Sequence, residues 1–154
     1  MNKNKPEIWV DADACPVKSI ILEEAKRCEV LVNYVASYNH RLSLSHPLAR
    51  SITVDAGYQS ADMYIANHIR ARDIVITDDY GLACLALGKE CLALGTRGKE
   101  YTKDTISFLL MDRHISQQAA KAGGKRKGPR PLSNEEIDHF RQKLRKLLCN
   151  LEGN

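Results

Sequence analysis

Short apolar runs alternate with amphipathic stretches along this chain, a pattern that is typical of α/β proteins. The apolar runs are rich in β-branched residues and predict buried strands at 8–10, 30–36, 51–54, 74–77 and 91–94. Apolar residues at helical spacing predict helices between them, at about 16–28, 60–69 and 82–87. Strands that alternate with helices predict a three-layer α/β domain with a small, mostly parallel central sheet.

The first predicted helix shows how this pattern separates buried from exposed positions. Pro16 suits its first turn, where a missing N–H is harmless. The apolar residues that recur at helical spacing and should face the core are Val17, Ile20, Ile21, Ala25 and Cys28. The charged residues expected on the opposite, solvated side are Lys18, Glu23, Glu24 and Arg27.

The last third of the chain is organised differently. A helix is predicted at about 102–122, and the basic, Gly- and Pro-rich stretch 123–132 is predicted to be a linker. Ser133 and Glu136 form a capping box at the start of a last helix, 133–151, whose apolar stripe should pack on the domain or on a partner. The predicted organisation is a domain at 1–122, a linker at 123–132 and a C-terminal helix at 133–151.

Carboxylates stand at the carboxyl ends of two predicted strands. Asp11 and Asp13 follow the first strand, and their spacing places both side chains on the same side of an extended segment. Asp78 and Asp79 follow Thr77 at the end of the fourth strand. Open α/β sheets bind their ligands at this edge, so we expect acids from separate segments to converge there.

A further carboxylate, Asp62, lies in a predicted helix. It stands at helical spacing with the apolar residues at 65, 66 and 69, which places it on the side that faces the core. A first-turn acid that stabilises the helix dipole is the simpler interpretation, and it explains the position of Asp62 but not its side. A partly buried carboxylate without a counter-charge should shift its pKa or bind a cation.

Like charges crowded at one sheet edge repel one another, and a divalent cation with oxygen ligands usually offsets them. Phosphoryl transfer with two metal ions uses carboxylates from several segments in this way. We therefore predict a site that hydrolyses phosphodiesters with Mg²⁺ or Mn²⁺ as cofactor, as in a nuclease. Simpler interpretations stay open for single acids: Asp13 as a cap of the helix entered at Pro16, and one of Asp78 and Asp79 as turn chemistry.

A second catalytic hypothesis uses the same residues. An apolar strand followed by Asp-x-Asp, with a later strand that ends in Asp-Asp, is also similar to phosphatases of the haloacid dehalogenase type. There Asp11 would be the nucleophile and Asp13 the general acid and base. This hypothesis leaves Asp62 unused, and Ala14 and Cys15 stand where Thr or Val is expected, so we rank it second.

The positive charge of the chain is unevenly distributed. The formal net charge of +4 is mild, but no acid occurs between Arg113 and Arg130. Such a basic segment suits a polyanion, and we expect RNA before DNA. The basic residues predicted to contact phosphates are Arg97, Lys99, Lys103, Arg113, Lys125, Arg126, Lys127 and Arg130. A nucleic-acid-binding module without catalysis is the alternative from a different functional class.

Composition bounds the cellular setting. A hydrophobic fraction of 44% and a charged fraction of 27% are those of an ordinary globular protein. No apolar stretch is long enough to cross a bilayer and the polar N-terminus lacks a signal peptide, so we expect no membrane partner and a cytoplasmic location. Five cysteines without a C-x-x-C pair argue against a disulfide framework and a structural zinc site. A homodimer is left open.

Several motifs in the chain are those of one family. They are Asp11-Ala12-Asp13-Ala14-Cys15-Pro16, Ser60-Ala61-Asp62, Val75-Ile76-Thr77-Asp78-Asp79, Arg97-Gly98, Arg113 and Gly128-Pro129. On these motifs the chain resembles the YaiI/YqxD family of bacterial proteins, whose members are largely of unknown function. That family is similar to PIN-type nuclease domains, so the resemblance implies a PIN-like fold with an acidic Mg²⁺ or Mn²⁺ site.

The resemblance also implies roles for particular residues. The implied catalytic and metal-binding acids are Asp11, Asp13, Asp62 and Asp79, with Asp78 as a further candidate ligand. A T-x-D pattern matches Thr77 and Asp79, which makes Thr77 a supporting residue and Asp78 the incidental member of its pair. One departure is Met63, where the family commonly has Asn, and this departure implies a weaker affinity for the metal.

Overall fold

The computed structural model describes residues 5–37, 45–55, 60–106 and 131–152. Six strands in these residues form one sheet: β1 (Ile8–Asp11), β2 (Val32–Ser37), β3 (Ala49–Val54), β4 (Ile74–Ile76), β5 (Leu92–Leu94) and β6 (Glu100–Tyr101). The sheet order is β3-β2-β1-β4-β5-β6, and all neighbours are parallel except β5 and β6, which are antiparallel. The predicted α/β fold with a small, mostly parallel sheet is confirmed.

The helices of the described residues include α1 (Lys18–Cys28), α2 (Ala61–His68), α3 (Tyr80–Gly88) and α4 (Asn134–Glu152). A 3₁₀ turn, Ala12–Ala14, links β1 to α1, and residues 103–106 are also helical. The rest of the helix predicted at 102–122, and most of the linker predicted at 123–132, lie outside the described residues. None of the helices in the described part of the chain is long and apolar enough to cross a lipid bilayer.

Different helices cover the two faces of the sheet. Side chains alternate along a strand, so Ile8 and Val10 of β1 point to one face and Trp9 points to the other. The first face is covered by α1 and α4, and Phe140 of α4 joins Ile8 and Val10 in one apolar cluster. The second face is covered by α2 and α3, where Ile65 of α2 belongs to the cluster around Trp9. The result is a three-layer domain that includes the C-terminal helix.

The start of α4 has the capping box that the sequence predicts. The hydroxyl of Ser133 accepts a hydrogen bond from the N–H of Glu136 at 3.1 Å, and Oε1 of Glu136 accepts one from the N–H of Ser133 at 3.1 Å. Further along the helix the apolar stripe is buried, through Phe140, Leu144, Leu147 and Leu148. Because the cap fixes the start and the stripe fixes the face, α4 packs on the domain in one defined orientation.

The helical pattern predicts Glu24 on the solvated side of α1, and this prediction is wrong. Glu24 is only 2% exposed because α4 packs over it. Arg145 donates from Nε and Nη2 to its two carboxylate oxygens at 2.8 and 3.1 Å, and Arg141 donates from Nη1 at 3.1 Å. These hydrogen bonds hold the pKa of Glu24 below its usual value. A sequence pattern confined to α1 contains no information about these partners.

The strand order reverses between β1 and β4. From β1 the chain moves outward through β2 to β3, then returns past β1 to β4 and continues outward to β5 and β6. In open α/β sheets, ligands bind at such a reversal, in the crevice beyond the carboxyl ends of the strands. Asp11 ends β1 and Thr77 follows β4, so the predicted acids lie at this point of the fold.

Candidate functional site

Asp11 is the centre of the acidic site. It is half-buried at the carboxyl end of β1, and one of its carboxylate oxygens accepts a hydrogen bond from the hydroxyl of Thr77 at 3.3 Å. Burial raises the pKa of Asp11 to about 6; the bond from Thr77 opposes this shift, and the charges of Asp13, Asp62 and Asp79 add to it. Three of the predicted acids therefore act electrostatically on a fourth, Asp11.

Thr77 links two of these acids. Its side chain is buried, and its hydroxyl donates to Asp11 while it accepts a hydrogen bond from the backbone N–H of Asp79 at 3.0 Å. A hydroxyl can both donate and accept, so this one group holds the end of β1 against the start of α3. Its position is the one that the T-x-D pattern assigns to a supporting residue.

Asp79 is the N-cap of α3. Its Oδ1 accepts hydrogen bonds from the N–H groups of Gly81 at 2.8 Å and Leu82 at 3.3 Å. These N–H groups have no partners within the helix, so the carboxylate satisfies them and its charge is favoured by the helix dipole. Asp79 thus has a structural task in addition to its electrostatic effect on Asp11.

Asp13 joins the ends of two neighbouring strands. Its Oδ1 accepts a hydrogen bond from the N–H of Ser37 at 2.9 Å, and its Oδ2 accepts one from the Ser37 hydroxyl at 2.7 Å. The residue at the N-cap of α1 is Val17, which makes no side-chain capping bond. The interpretation of Asp13 as the cap of this helix is therefore wrong: its carboxylate binds across the sheet to the end of β2.

Asp62 and Asp78 lie on different sides of this centre. Asp62 is half-buried in the first turn of α2, and its charge contributes to the raised pKa of Asp11. Asp78 is exposed and turns toward the loop between β5 and β6, where Thr96 donates from its N–H to Oδ1 at 2.9 Å and from its hydroxyl to Oδ2 at 2.6 Å. Of the adjacent pair, Asp79 is the member whose charge acts on Asp11.

The acids do not form a closed metal cage. Within residues 5–37, 45–55, 60–106 and 131–152, no three His, Cys, Asp or Glu side chains are arranged to hold a metal ion. Asp13 and Asp79 hold hydrogen-bond donors of their own, while Asp11 presents a carboxylate whose charged form is disfavoured by burial and by its neighbours. The donor set consists of carboxylate oxygens, the ligands that hard divalent cations prefer.

The predicted phosphate-binding residues fall into two groups. Arg97 pairs with Glu136 at 2.8 Å, Lys99 is exposed, and Lys103 pairs with Glu90 at 3.4 Å where both side chains are largely exposed. The other predicted residues lie outside the described ones: Arg113, Lys125, Arg126, Lys127 and Arg130. Arg97 and Lys99 stand on the loop between β5 and β6, at the same sheet edge as the acids. Lys103 follows β6, which runs antiparallel to β5, and therefore lies at the opposite edge of the sheet, beside Glu90.

A pocket of about 290 Å³ lies next to Asp78. Its lining residues are Asp78, Tyr80, Gly95, Arg97, Lys99 and Tyr101. Sequence reasoning identified the two basic residues of this set and missed both tyrosines and the glycine. The aromatic residue directly after the Asp-Asp pair is the one local signal that points to a ligand site here.

Contacts with α4 hold in place the loop that forms one wall of this pocket. Gly98 has φ +89°, a conformation that favours glycine, and a Cβ at this position would overlap the imidazole carbon Cδ2 of His139. One residue earlier, Arg97 pairs with Glu136, the same carboxylate that completes the capping box. The start of α4 therefore sets the position of the basic loop.

Comparison with known proteins gives consistent matches over nearly the whole chain. A family described as "Uncharacterized BCR, YaiI/YqxD family" matches residues 9–150. A UPF0178 protein of Bacillus velezensis is 43% identical over 99% of this chain and 91% of its own length. UPF0178 proteins of Bacillus pumilus and Halalkalibacterium halodurans are 43% and 41% identical, over 99% and 96% of this chain and 93% of their own lengths. No solved structure matches the chain.

Proposed function

The chain belongs to the YaiI/YqxD family, and we propose that this member is a divalent-metal-dependent phosphodiester hydrolase, a nuclease that acts on RNA before DNA. The observation that carries this proposal is the environment of Asp11. A half-buried carboxylate at the reversal of strand order is surrounded by the charges of three other carboxylates, and its pKa is raised to about 6. A cation at this position would offset the repulsion among all four.

Mg²⁺ suits this site although no three-residue cage is present in the described part of the chain. The ion commonly keeps several of its waters and binds through one or two carboxylates together with substrate phosphates. Asp11 is the proposed direct ligand. Asp62 and Asp79 would add charge or bind through water, and Asp13 would hold the adjoining strand ends while it contributes its charge.

The remaining residues of the site have tasks that suit a phosphodiester substrate. Thr77 fixes the carboxylate of Asp11 through its hydrogen bond, so that the ligand is oriented before the metal arrives. Arg97 and Lys99, on the loop beside the acids, would bind phosphates along the substrate chain. When bound, the metal would activate a water molecule and stabilise negative charge on the phosphate in the transition state.

The geometry of Asp13 favours a nuclease over a phosphatase of the haloacid dehalogenase type. In the phosphatase hypothesis this residue has to donate and accept a proton during the reaction. Both of its carboxylate oxygens instead accept hydrogen bonds from Ser37, so the atoms that would exchange the proton are already engaged with the end of β2. The phosphatase hypothesis also gives no task to Asp62, whose charge acts on Asp11.

Metal-dependent melting tests the binding site directly. We expect Mn²⁺ or Mg²⁺ to raise the melting temperature of the wild type, by the equivalent of about 2.7 kcal/mol when the metal reaches a hundred times its Kd. Asp11→Asn should not respond to metal. Asp55→Asn is the matched control, because Asp55 is an exposed acid just beyond β3 at the same sheet edge, and it should respond as the wild type does.

Hydrolysis is then measured on labelled single-stranded RNA and DNA and on a small phosphate monoester, with metal and in chelator. We expect cleavage of RNA that needs metal, and at least a hundredfold loss in Asp11→Asn while the variant keeps its folded circular dichroism spectrum. Equal turnover by Asp11→Asn, or equal cleavage in chelator, would contradict the proposal. Release of phosphate from the monoester without cleavage of RNA would support the phosphatase instead.

A further inference from the structure

Helix α3 is apolar on both of its sides. Its nine residues, from Tyr80 to Gly88, include no charged residue. Leu82, Ala83 and Ala86 are buried in the cluster on the second face of the sheet, which accounts for one side of the helix. A helix at the surface of a protein usually carries polar and charged side chains on the side that faces water. The outward side of α3 departs from this pattern.

We call this outward side the outer face of α3; it consists of Gly81, Cys84, Leu85 and Gly88, which recur at helical spacing. Leu85 is 56% exposed, Cys84 is exposed, and a Cβ at Gly88 would meet no atom within 4 Å. On the neighbouring helix α2, Met63 is 57% exposed. Among the described residues, Met63 and Leu85 are the large apolar residues that are exposed, and both lie on this layer of the domain. Exposed apolar surface of this kind is typical of an interface.

The charge of the outer face indicates which partner it fits. Nucleic acid binds through basic side chains, and the outer face has none. In a two-fold symmetric dimer, each residue near the axis meets its own copy, so a charged residue there would face a like charge. An uncharged apolar surface meets its copy without this repulsion. The outer face therefore fits a second copy of this chain.

The two ends of α3 carry charges that are complementary in such a pair. Asp79 caps the amino end, and the exposed Lys89 follows the carboxyl end. The ammonium group of Lys89 donates to the carbonyl oxygen of Ala66 in α2, which keeps this charge beside the outer face. When two copies of α3 cross antiparallel about Cys84, the middle residue of the helix, the basic end of each copy lies near the acidic end of the other. The two helix dipoles are then opposed, which is also favourable.

We propose that the outer face of α3 is the interface of a homodimer, in which two copies of α3 pack antiparallel across a two-fold axis. Leu85 of each copy forms the apolar centre, and Met63 extends the contact onto α2. The two Cys84 thiols lie side by side at the axis, because this residue is in the middle of the helix. The dimer depends neither on a metal nor on cleavage of RNA, so it stands or falls separately from the proposed function.

Cross-linking of the full chain with diamide tests this arrangement. Diamide takes up two hydrogen atoms and joins two neighbouring thiols as a disulfide, which requires Cα atoms within about 7 Å of each other. We expect a covalent dimer from the wild type and from Cys149→Ser, and none from Cys84→Ser. Cys149 is the matched control, because it is also an exposed helical cysteine but lies on α4, which covers the other face of the sheet. A covalent dimer that persists in Cys84→Ser, or that is absent from the wild type, would overturn the arrangement.

Light scattering after gel filtration measures the mass of the reduced protein without any cross-link. We expect the wild type to have twice the mass of one chain, and Leu85→Glu to have the mass of one chain with an unchanged circular dichroism spectrum, because this exposed position then brings two like charges together. Cys149→Glu adds the same charge to an exposed position of α4 and should remain dimeric. A dimer that survives Leu85→Glu would overturn the proposal. So would a monomeric wild type, and a loss of stability in Leu85→Glu would then assign the outer face to another part of the same chain.

Discussion

The hydroxyl of Thr77 lies 3.3 Å from a carboxylate oxygen of Asp11 and bridges two strands of the sheet at the point where their order reverses. The hydroxyl oxygen of Thr77 also accepts a hydrogen bond from the backbone N–H of Asp79, so one atom connects the carboxylate of Asp11 with the start of α3. A small change at Thr77 should therefore alter both the pKa of Asp11 and the stability of the domain.

We expect Thr77→Val to lower the free energy of unfolding by about 1–2 kcal/mol, because the N–H of Asp79 and the carboxylate of Asp11 both lose a partner while the side-chain volume is kept. The pKa of Asp11 should rise further, since the lost bond favoured the charged form. Urea unfolding measures the first effect and NMR titration of the Asp11 carboxyl measures the second. Thr77→Ser keeps the hydroxyl and serves as control; an unchanged Asp11 pKa in the valine variant would contradict this account.

Asp11 should destabilise the metal-free protein at neutral pH. The pKa of Asp11 is raised from 3.8 to about 6 in the folded protein. Protonated Asp11 therefore contributes to stability below pH 3.8, the pKa in the unfolded chain, and this contribution is lost as the pH rises through 6. Asp11→Asn removes this loss, and we expect it to be more stable than wild type by about 2–3 kcal/mol at pH 7.5 in chelator. The difference should shrink toward pH 4. The free energies of unfolding of wild type and Asp11→Asn are measured in chelator across this pH range. A difference that does not change with pH would contradict the prediction.

Two substitutions of Asp79 separate its capping task from its charge. Asparagine caps a helix about as well as aspartate, so Asp79→Asn should keep the stability of the domain, whereas Asp79→Ala should cost about 1 kcal/mol. Both variants remove the carboxylate charge and should weaken metal binding. Chemical unfolding and metal titration on the same two proteins measure these effects, and full metal affinity in Asp79→Asn would remove this residue from the site.

The ion pairs of Glu24 should make the docking of α4 sensitive to acid. The pKa of Glu24 is lowered chiefly by the hydrogen bonds from Arg145. Ionised Glu24 therefore contributes to stability at a pH above its pKa in the unfolded chain, and this contribution is lost as the pH falls through its pKa in the folded protein. We expect Glu24→Gln to lower the free energy of unfolding at pH 7 by about 2 kcal/mol. Glu23→Gln is the matched control: that side chain is 55% exposed and also pairs with Arg141, and its loss should cost little. Equal losses in the two variants would contradict the argument.

Local patterns predicted the strands and helices that carry strong signals. Continuous apolar runs located β1, β2 and β4, and the capping box located the start of α4. The pattern missed β6, because Glu100 and Tyr101 form only two residues of strand and are too short to show alternation. It also missed the start of β3 at Ala49, where a nearby Pro47 suggests a turn.

Contacts between distant segments of the chain are the features of the site that the sequence could not predict. The position of Asp11 and Asp79 at strand ends could be predicted, because parallel strands bring their carboxyl ends to one edge. The partners of the acids could not: Asp13 binds Ser37 and Asp78 binds Thr96, each through contacts between segments that are separate in the chain. The burial of Glu24 has the same origin, since its arginine partners are 117 and 121 residues away.

The late position of α4 in the chain has a consequence for synthesis in the cell. The apolar face that carries Ile8 and Val10 on the central strand is completed by Phe140 and Leu144. A ribosome releases the amino-terminal strands first, so this face is covered by α1 alone until Phe140 and Leu144 have been synthesised. Termination before α4 would therefore yield an aggregation-prone chain rather than a shortened folded domain, and chaperones that bind exposed apolar segments should engage this protein during translation.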